Sequence, residues 1–286
     1  MTLLNVTPLP SILIEPLVRA ALIEDLGRAG DITSDSIVPA ETMARLALNA
    51  RQAGIVAGLD LAAIAFRLID PAIRFEAIRP DGSAVAPGDI IARVEGRARG
   101  VLTAERVALN FLGHLCGIAS ATAAITASLQ PHKARVTCTR KTLPGLRMVQ
   151  KYAVRVGGGA NHRFGLDDAV LIKDNHIAVA GGIRPAVERA RAAIGHLVKI
   201  EIEVDTLDQL RDVLTLPVDA VLLDNMTPAE LRAAVRLVDG RLITEASGGI
   251  TPVTAPEVAA TGVDLISIGW LTHSAKVLDI GLDADG

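Results

Sequence analysis

The sequence predicts an α/β protein in two parts: a small α+β sheet domain, then a region of parallel strands alternating with helices. Three observations carry this. From about residue 135, short apolar runs recur with helix-sized segments between them, the last four starting at a near-constant interval. The first third lacks that rhythm and shows short apolar segments broken by turn residues. Successive later runs each end in a polar group, namely Arg140, Lys173, Glu203, Asp224 and Ser247.

Taken in order, Ile14, Leu17, Val18, Ala21 and Leu22 form one apolar stripe at helical spacing. The turn-rich GRAGDITSD follows, then RLALNARQAGIVAG and PAIRFEAIRPDGSAVAPGDIIARVEG, whose Asp81-Gly82 and Pro87-Gly88 pairs mark turns between strands. Thr103 opens a long helix with Val107, Phe111, Leu115 and Ile118 on one face, and the domain junction is expected inside it. The later strands are expected at RVTCT, AVLIKD, VKIEIEVD, AVLLDN, LITEAS and LISIG. Helices fit between them. Three have the capping-box pattern, at Thr206 and Gln209, Thr227 and Glu230, and Thr254 and Glu257. Pro228 stands at a first helical position, ahead of the stripe Leu231, Ala234, Val235 and Val238.

Strand–helix alternation means parallel strands with crossover helices, and near-continuous apolar strands mean a sheet covered on both faces. A barrel and an open doubly wound sheet both fit. The polar strand ends favour the barrel, where they converge on one mouth, the face that carries barrel active sites. In an open sheet they would spread along an edge.

Composition excludes some classes of function. The chain has 286 residues, 50% of them hydrophobic, which suffices for a large aliphatic core. Aromatic residues are 2%, too few for a platform that stacks single-stranded nucleic acid. A net charge of −3 gives no global basic field, so cations act locally. Cys116 and Cys138 have no metal-ligand spacing and are expected as reduced thiols. The N-terminus lacks a basic region before its apolar residues and does not read as a signal peptide. No uninterrupted apolar run approaches bilayer length, so a cytoplasmic protein is expected.

The chemistry is expected at the strand ends. Arg140 and Lys141, His162 and Arg163, and Lys173 gather five basic residues at one mouth, a pocket suited to an anion with forked oxygens. Glu201 and Glu203 share one face of their strand, with Glu203 nearer the mouth and Asp224 ending the next strand. That pair suits Mg²⁺ held through carboxylates and substrate phosphates, or a salt bridge to Lys173 or Arg140. EASGGI and GWLTHS follow the last strands, where barrel phosphate sites lie. The triplet Gly157–Gly159 fits neither a Walker loop nor a dinucleotide fingerprint and is expected as a turn toward the mouth. His176 follows Lys173 by three as a packing or supporting residue, and His273 lies close enough to Gly269 to reach a phosphate.

At TRKTLPGLR, KYAVRVGGGANHRFGLDDAVLIKDNH, EIEVDT, LLDN, EASGGI and LTHSAKVLDIGLD the chain resembles the nicotinate-nucleotide pyrophosphorylase family, also called decarboxylating quinolinate phosphoribosyltransferase. LTAERVALNFL and EDLGRAGDIT match as well, so the resemblance covers nearly the whole chain. It implies an N-terminal α/β sandwich (residues 1–112), an incomplete, TIM-like α/β barrel (113–273) and a tail (274–286) returning toward the first domain. It implies phosphoribosyl transfer from phosphoribosyl pyrophosphate to quinolinate with Mg²⁺, giving nicotinate mononucleotide, pyrophosphate and CO₂.

By the same resemblance, Arg140, His162, Arg163 and Lys173 would hold quinolinate, Thr139 would also bind substrate, and Arg106 would reach in from the second subunit of a homodimer. Lys141 would contact the pyrophosphate side. Glu203 and Asp224 would face Mg²⁺ and the ribose. Ser247, Gly248, Gly249, Ile268, Gly269, Trp270 and His273 would surround a phosphate. Lys141, Lys173, Glu203 and Asp224 would carry catalysis. Three positions depart from the family pattern: Cys138 stands where aspartate is expected, Gln150 where glutamate is usual, and Trp270 in place of a small residue. The rival readings are another phosphate-binding barrel enzyme, such as a molybdenum-linked paralogue, and a non-catalytic small-anion binding module. The hairpin PDGSAVAPGDIIARVEG resembles a carrier domain's but has no lysine at its turn.

Overall fold

In a computed structural model, residues 6–284 are described. The chain begins with α1 (Ser11–Leu26), α2 (Ile32–Ile37), β1 (Met43–Ala50), β2 (Gly54–Ile55), α3 (Leu59–Ile69), β3 (Arg74–Ala77), β4 (Ala84–Val85), β5 (Ile90–Arg97) and α4 (Ala98–Ser128). Next come β6 (Arg135–Thr137), α5 (Arg147–Val156), β7 (Val170–Ile172), α6 (Asp174–Ala180), α7 (Ile183–Ala193), β8 (Ile200–Val204), α8 (Leu207–Val213) and β9 (Ala220–Asp224). The chain continues through α9 (Pro228–Val238), β10 (Ile243–Ser247), α10 (Ala255–Ala259), β11 (Leu265–Ser267), α11 (Trp270–His273) and β12 (Ile280–Ala284).

Two compact units result. The first comprises residues 1–123, 143–158 and 272–286; the second comprises 124–142 and 159–271. The units divide within α4, further along it than residue 112. The expected boundaries also left out residues 143–158, which include α5 and belong to the first unit. Helix α4 starts at Ala98 rather than Thr103. By length and composition it could cross a membrane, but 61% of its most apolar window is buried, as in a core helix.

The first unit is built on an antiparallel sheet in the order β12-β1-β5-β3. The tail returns as β12, which pairs with β1 from Leu46 opposite Ala284 to Ala50 opposite Ile280. Asp283 fixes that edge by accepting hydrogen bonds from Arg51 Nη2 (2.6 Å) and Asn49 Nδ2 (2.9 Å). Helix α1 packs on α3, burying Ile14, Val18 and Leu22, the centre of the stripe read from the sequence. The stretch read as turn contains α2, capped by the Asp31 carboxylate accepting from the Ser34 amide at 2.9 Å. Asp81 joins two elements by accepting from the Gly58 amide (2.8 Å) at the start of α3 and from the Tyr152 hydroxyl (2.7 Å) on α5. Burial, then the charge of Asp81, pushes the Tyr152 phenol pKa above its ordinary value.

Gly157 ends α5 at a φ of −74° and does not bend the chain. A Cβ there would overlap the Ala119 carbonyl oxygen, so Gly157 permits close approach to α4. Gly158, at φ 88°, makes the reversal. Gln150 also has a local explanation. Its Oε1 accepts from the Leu143 amide (3.0 Å), and its Nε2 reaches His114 Nε2 at 2.9 Å. Burial depresses the His114 pKa, and a neutral amide can donate to the unprotonated ring where a carboxylate could not.

The second unit is a six-stranded, wholly parallel sheet in the order β6-β11-β10-β9-β8-β7, with its crossover helices. It is the incomplete barrel-like domain expected, with β6 and β7 as its outer strands. Ala160 continues past β6, donating its amide to the Val136 carbonyl at 2.7 Å and bridging Thr137. One set of alternating residues, including Ile200, Ile202, Val204, Val221, Leu223 and Ala246, is buried. The other set carries Glu201, Glu203, Leu222, Asp224, Glu245 and Ser247. The capping boxes at Thr206 and Thr227 form. The one expected at Thr254 does not: Thr254 has helical dihedrals (φ −89°, ψ −21°) and exchanges hydrogen bonds with Thr251 instead.

Candidate active site

The C-terminal ends of the strands enclose a cavity of about 370 Å³ in the second unit. Thr139, Arg140, Lys141, His162, Arg163, Lys173, Glu203, Asp224 and Ser247 all line it. Strand register explains the convergence. Ser247 pairs with Asp224, and Glu245, Leu222 and Glu203 lie in one row across β10, β9 and β8. The carboxylates thus stand on the strands, while Arg140, Lys141, Arg163 and Lys173 come from strand ends and loops.

The cations are held in different ways. Thr139 shapes the first turn, its Oγ1 accepting from the Lys141 amide at 3.0 Å. Lys173 Nζ bonds Glu203 Oε2 at 2.8 Å, with Lys173 nearly half exposed and Glu203 mostly buried. The Lys173 backbone amide donates to His176 Nδ1 at 2.9 Å, so His176 shapes the start of α6. Asp168 ties the intervening loop by accepting from the amides of Phe164 (2.6 Å) and Gly165 (2.9 Å). Arg163 Nη1 donates to the Ala169 carbonyl at 3.0 Å. Its Nε is buried with no hydrogen-bond partner among the described residues. Burial first, then the neighbouring Arg140, lowers the Arg163 pKa, against weaker support from Asp168 and Glu201. An anion in the cavity would relieve both effects.

His162 bonds Glu201 Oε2 through Nε2 at 2.8 Å, with Glu245 Oε1 3.8 Å from the same nitrogen. These three offer ligand-type atoms within 4.8 Å of one another. Glu245 and Ser267 also line the cavity, and sequence reading missed both. Glu245 was within reach, because it lies two residues before Ser247 and so shares its strand face.

Other expected residues lie elsewhere. Ile268 is 1% exposed and its amide donates to the Thr137 carbonyl at 3.0 Å, so it belongs to the core rather than the pocket wall. Gly248, Gly249, Gly269 and Trp270 follow the strands but do not line the cavity. Gly248 has a φ of 96°, and a Cβ there would overlap the Asn225 side chain. The Trp270 indole N–H is buried without a hydrogen-bond partner among the described residues. Cys138 is fully buried and its thiol contacts Asn161 Oδ1 at 3.3 Å, so it too is absent from the wall. Arg106 and His273 belong to the first unit. Arg106 is 65% exposed and 3.9 Å from Glu105, while His273 Nδ1 meets Ser274 Oγ at 2.6 Å.

Two family models match the chain: the quinolinate phosphoribosyl transferase N-terminal domain over residues 31–116 and its C-terminal domain over 118–283. The chain belongs to the quinolinate phosphoribosyltransferase family. Among named relatives, the probable nicotinate-nucleotide pyrophosphorylase [carboxylating] of Bacillus subtilis is 43% identical over 270 residues, covering 94% of this chain and 93% of the relative. The Mycobacterium leprae protein named nicotinate-nucleotide pyrophosphorylase [carboxylating] is 43% identical over 274 residues, covering 93% and 95%. The crystal structure of NadC from Streptococcus pyogenes is 40% identical with a TM-score of 0.94, over 97% of this chain and 98% of that one. The Francisella tularensis nicotinate-nucleotide pyrophosphorylase structure is 36% identical with the same TM-score, over 98% and 99%.

Proposed function

We propose that the chain transfers the phosphoribosyl group of phosphoribosyl pyrophosphate to quinolinate and releases CO₂, giving nicotinate mononucleotide and pyrophosphate, a step of de novo NAD biosynthesis. The observation that carries this reading is the arrangement of Arg140, Arg163 and Lys173 around one cavity whose strand wall bears Glu203 and Asp224, in a chain of this family. Quinolinate is a dicarboxylate, and the buried, unpaired Arg163 Nε is a donor in need of such an acceptor.

In this reading Arg140, Arg163 and Lys173 hold the two carboxylates, and Thr139 fixes the turn that carries Arg140. The pyridine nitrogen attacks the anomeric carbon of the ribose as pyrophosphate leaves. Positive charge builds on the sugar, and Glu203 and Asp224 stabilise it. Lys141 stabilises the departing pyrophosphate. The ring nitrogen then carries positive charge, so the adjacent carboxylate leaves as CO₂. The electron pair stays on the ring carbon, which takes up a proton. Glu203 and Asp224 offer hard oxygen donors on neighbouring strand ends, a set that fits Mg²⁺. Lys173 uses one oxygen of Glu203 and leaves the other available. Bound there together with pyrophosphate oxygens, Mg²⁺ would neutralise leaving-group charge. Ser247 with Gly248, Gly249 and Gly269 would receive the ribose phosphate.

The active unit in this reading is a homodimer. Arg106 is exposed and only distantly paired, which suits a cation presented to the cavity of a second copy. Mixing Arg106→Ala with Glu203→Gln protomers should restore activity that neither variant has alone; no recovery would argue against a shared site. A soluble dicarboxylate and a phosphorylated donor suit the cytoplasm, which fractionation of source cells would test. The main assay supplies quinolinate, phosphoribosyl pyrophosphate and Mg²⁺, then replaces quinolinate with nicotinate. CO₂ release that requires quinolinate is expected. Absence of release, or a preference for nicotinate, would overturn the proposal.

A further inference from the structure

His162 differs from the other basic residues of the pocket. The Arg163 backbone N–H can only donate, and it reaches His162 Nδ1 at 2.8 Å. Nδ1 therefore holds a lone pair and no proton. The ring proton sits on Nε2, which donates to Glu201 Oε2 at 2.8 Å. A doubly protonated ring would set N–H against N–H at the Arg163 amide. Both ring nitrogens are thus used inside the protein. The surroundings are close to dry: side-chain exposure is 11% for His162, 13% for Glu201 and 2% for Glu245. Glu245 approaches the same Nε2 from β10, so carboxylates on two strands confine the ring.

The next residue, Arg163, keeps a buried donor unspent at Nε while its Nη1 is fixed by the Ala169 carbonyl. Its backbone amide is fixed by the imidazole.

We infer that Glu201 and His162 are positioning residues: Glu201 on β8 holds the imidazole, the imidazole holds the Arg163 amide, and this chain of hydrogen bonds aims the Arg163 guanidinium at a quinolinate carboxylate. His162 supplies no charge to the substrate. This inference rests on the assignment of Arg163 to quinolinate in the proposed function.

The test measures KM for quinolinate, KM for phosphoribosyl pyrophosphate, kcat and the thermal midpoint for each variant. Glu201→Ala should raise KM for quinolinate about tenfold, the size of one lost hydrogen bond to a charged group. Glu201→Gln keeps an acceptor for Nε2–H and should stay within about threefold of the native value, as should KM for the second substrate in both variants. His162→Asn keeps an oxygen near the place of Nδ1 and should bind quinolinate better than His162→Gln. A cationic role for His162 would make those two variants equally poor. Ring ¹⁵N spectra of the native protein should show an unprotonated Nδ1 and a protonated Nε2, and these spectra carry the test even where Glu201→Ala fails to fold. An imidazolium spectrum, an unchanged KM for quinolinate in Glu201→Ala, or a parallel rise in both KM values would overturn the inference. Arg163→Ala separates the two levels. If it leaves KM for quinolinate unchanged, the site assignment itself fails. If it weakens quinolinate while Glu201→Ala does not, only the positioning role fails.

Discussion

The two ends of the same parallel strands treat charge in opposite ways. At the N-terminal ends, charges are closed into local pairs. Asp219 accepts from Lys199 Nζ at 2.7 Å, the Ile200 amide at 2.9 Å and Arg191 Nη2 at 3.0 Å. Burial pushes its pKa up, but those bonds outweigh burial and hold it at about 2. Asp264 is tied likewise to Lys133 and Thr244 and is also held below the ordinary carboxylate value. At the C-terminal ends, Arg163 is depressed by burial and by Arg140, with a donor left unpaired. A depression of about 480 Å³ at the lower end exceeds the 370 Å³ of the upper cavity, yet its lysines are already satisfied. Size does not mark the site; unresolved charge does. Barrels separate stability from activity in this way, and six strands suffice for it.

This contrast can be broken most sharply at the carboxylates of the upper end. Glu203→Gln or Asp224→Asn should lower kcat by about 10²–10³-fold, the usual scale for losing one group that stabilises transition-state charge, with folding retained. Steady-state kinetics with circular dichroism would check this, and unchanged turnover would remove both residues from catalysis. Arg163→Ala should act next most strongly, raising KM for quinolinate by about 10–100-fold, as expected for a lost charge-assisted bond. Isothermal titration with quinolinate reads the same loss directly.

At the lower end the effect should move from activity to stability. Asp219→Asn should cost about 1–2 kcal/mol, allowing for partial exposure, and leave kinetics near native. The sign follows from a depressed folded pKa: Asp219 stabilises the fold fully above its ordinary value near 3.8, and loses that contribution as pH falls toward about 2. Acid unfolding of the variant should therefore be shallower in that window. The smallest effect concerns the caps. Thr206→Ala should cost about 1 kcal/mol in urea melts, whereas Thr254→Ala should cost clearly less because Thr254 caps no amide of α10.

Much of the second unit was legible because its signals are local. Each strand is an apolar run, and alternation places Glu201 beside Glu203 and Glu245 beside Ser247. What escaped notice depends on distant partners. Helix α5 carries Val149, Tyr152, Ala153 and Val156 at helical spacing, but buried Gln150 and Lys151 interrupt the pattern, and its packing on α4 is set across the chain. Thr254 and Glu257 have the spacing of a capping box, yet the competing Thr251 side chain sits close enough to take the threonine. His162 reads as one more cation in the sequence. Only its contacts with the Arg163 amide and with Glu201, 39 positions away, turn it into a linker.

The strand β12 has a consequence for how the molecule is made. It forms an edge of the first unit's sheet, yet it follows every residue of the second unit in the chain. On the ribosome the parallel strands are all available for folding while β1 still lacks its neighbour and shows a bare hydrogen-bonding edge. Such an edge invites pairing with other nascent chains. Losing only Ile280–Ala284 would leave that edge open permanently, so a truncation that removes no residue of the cavity would be felt first as poor yield.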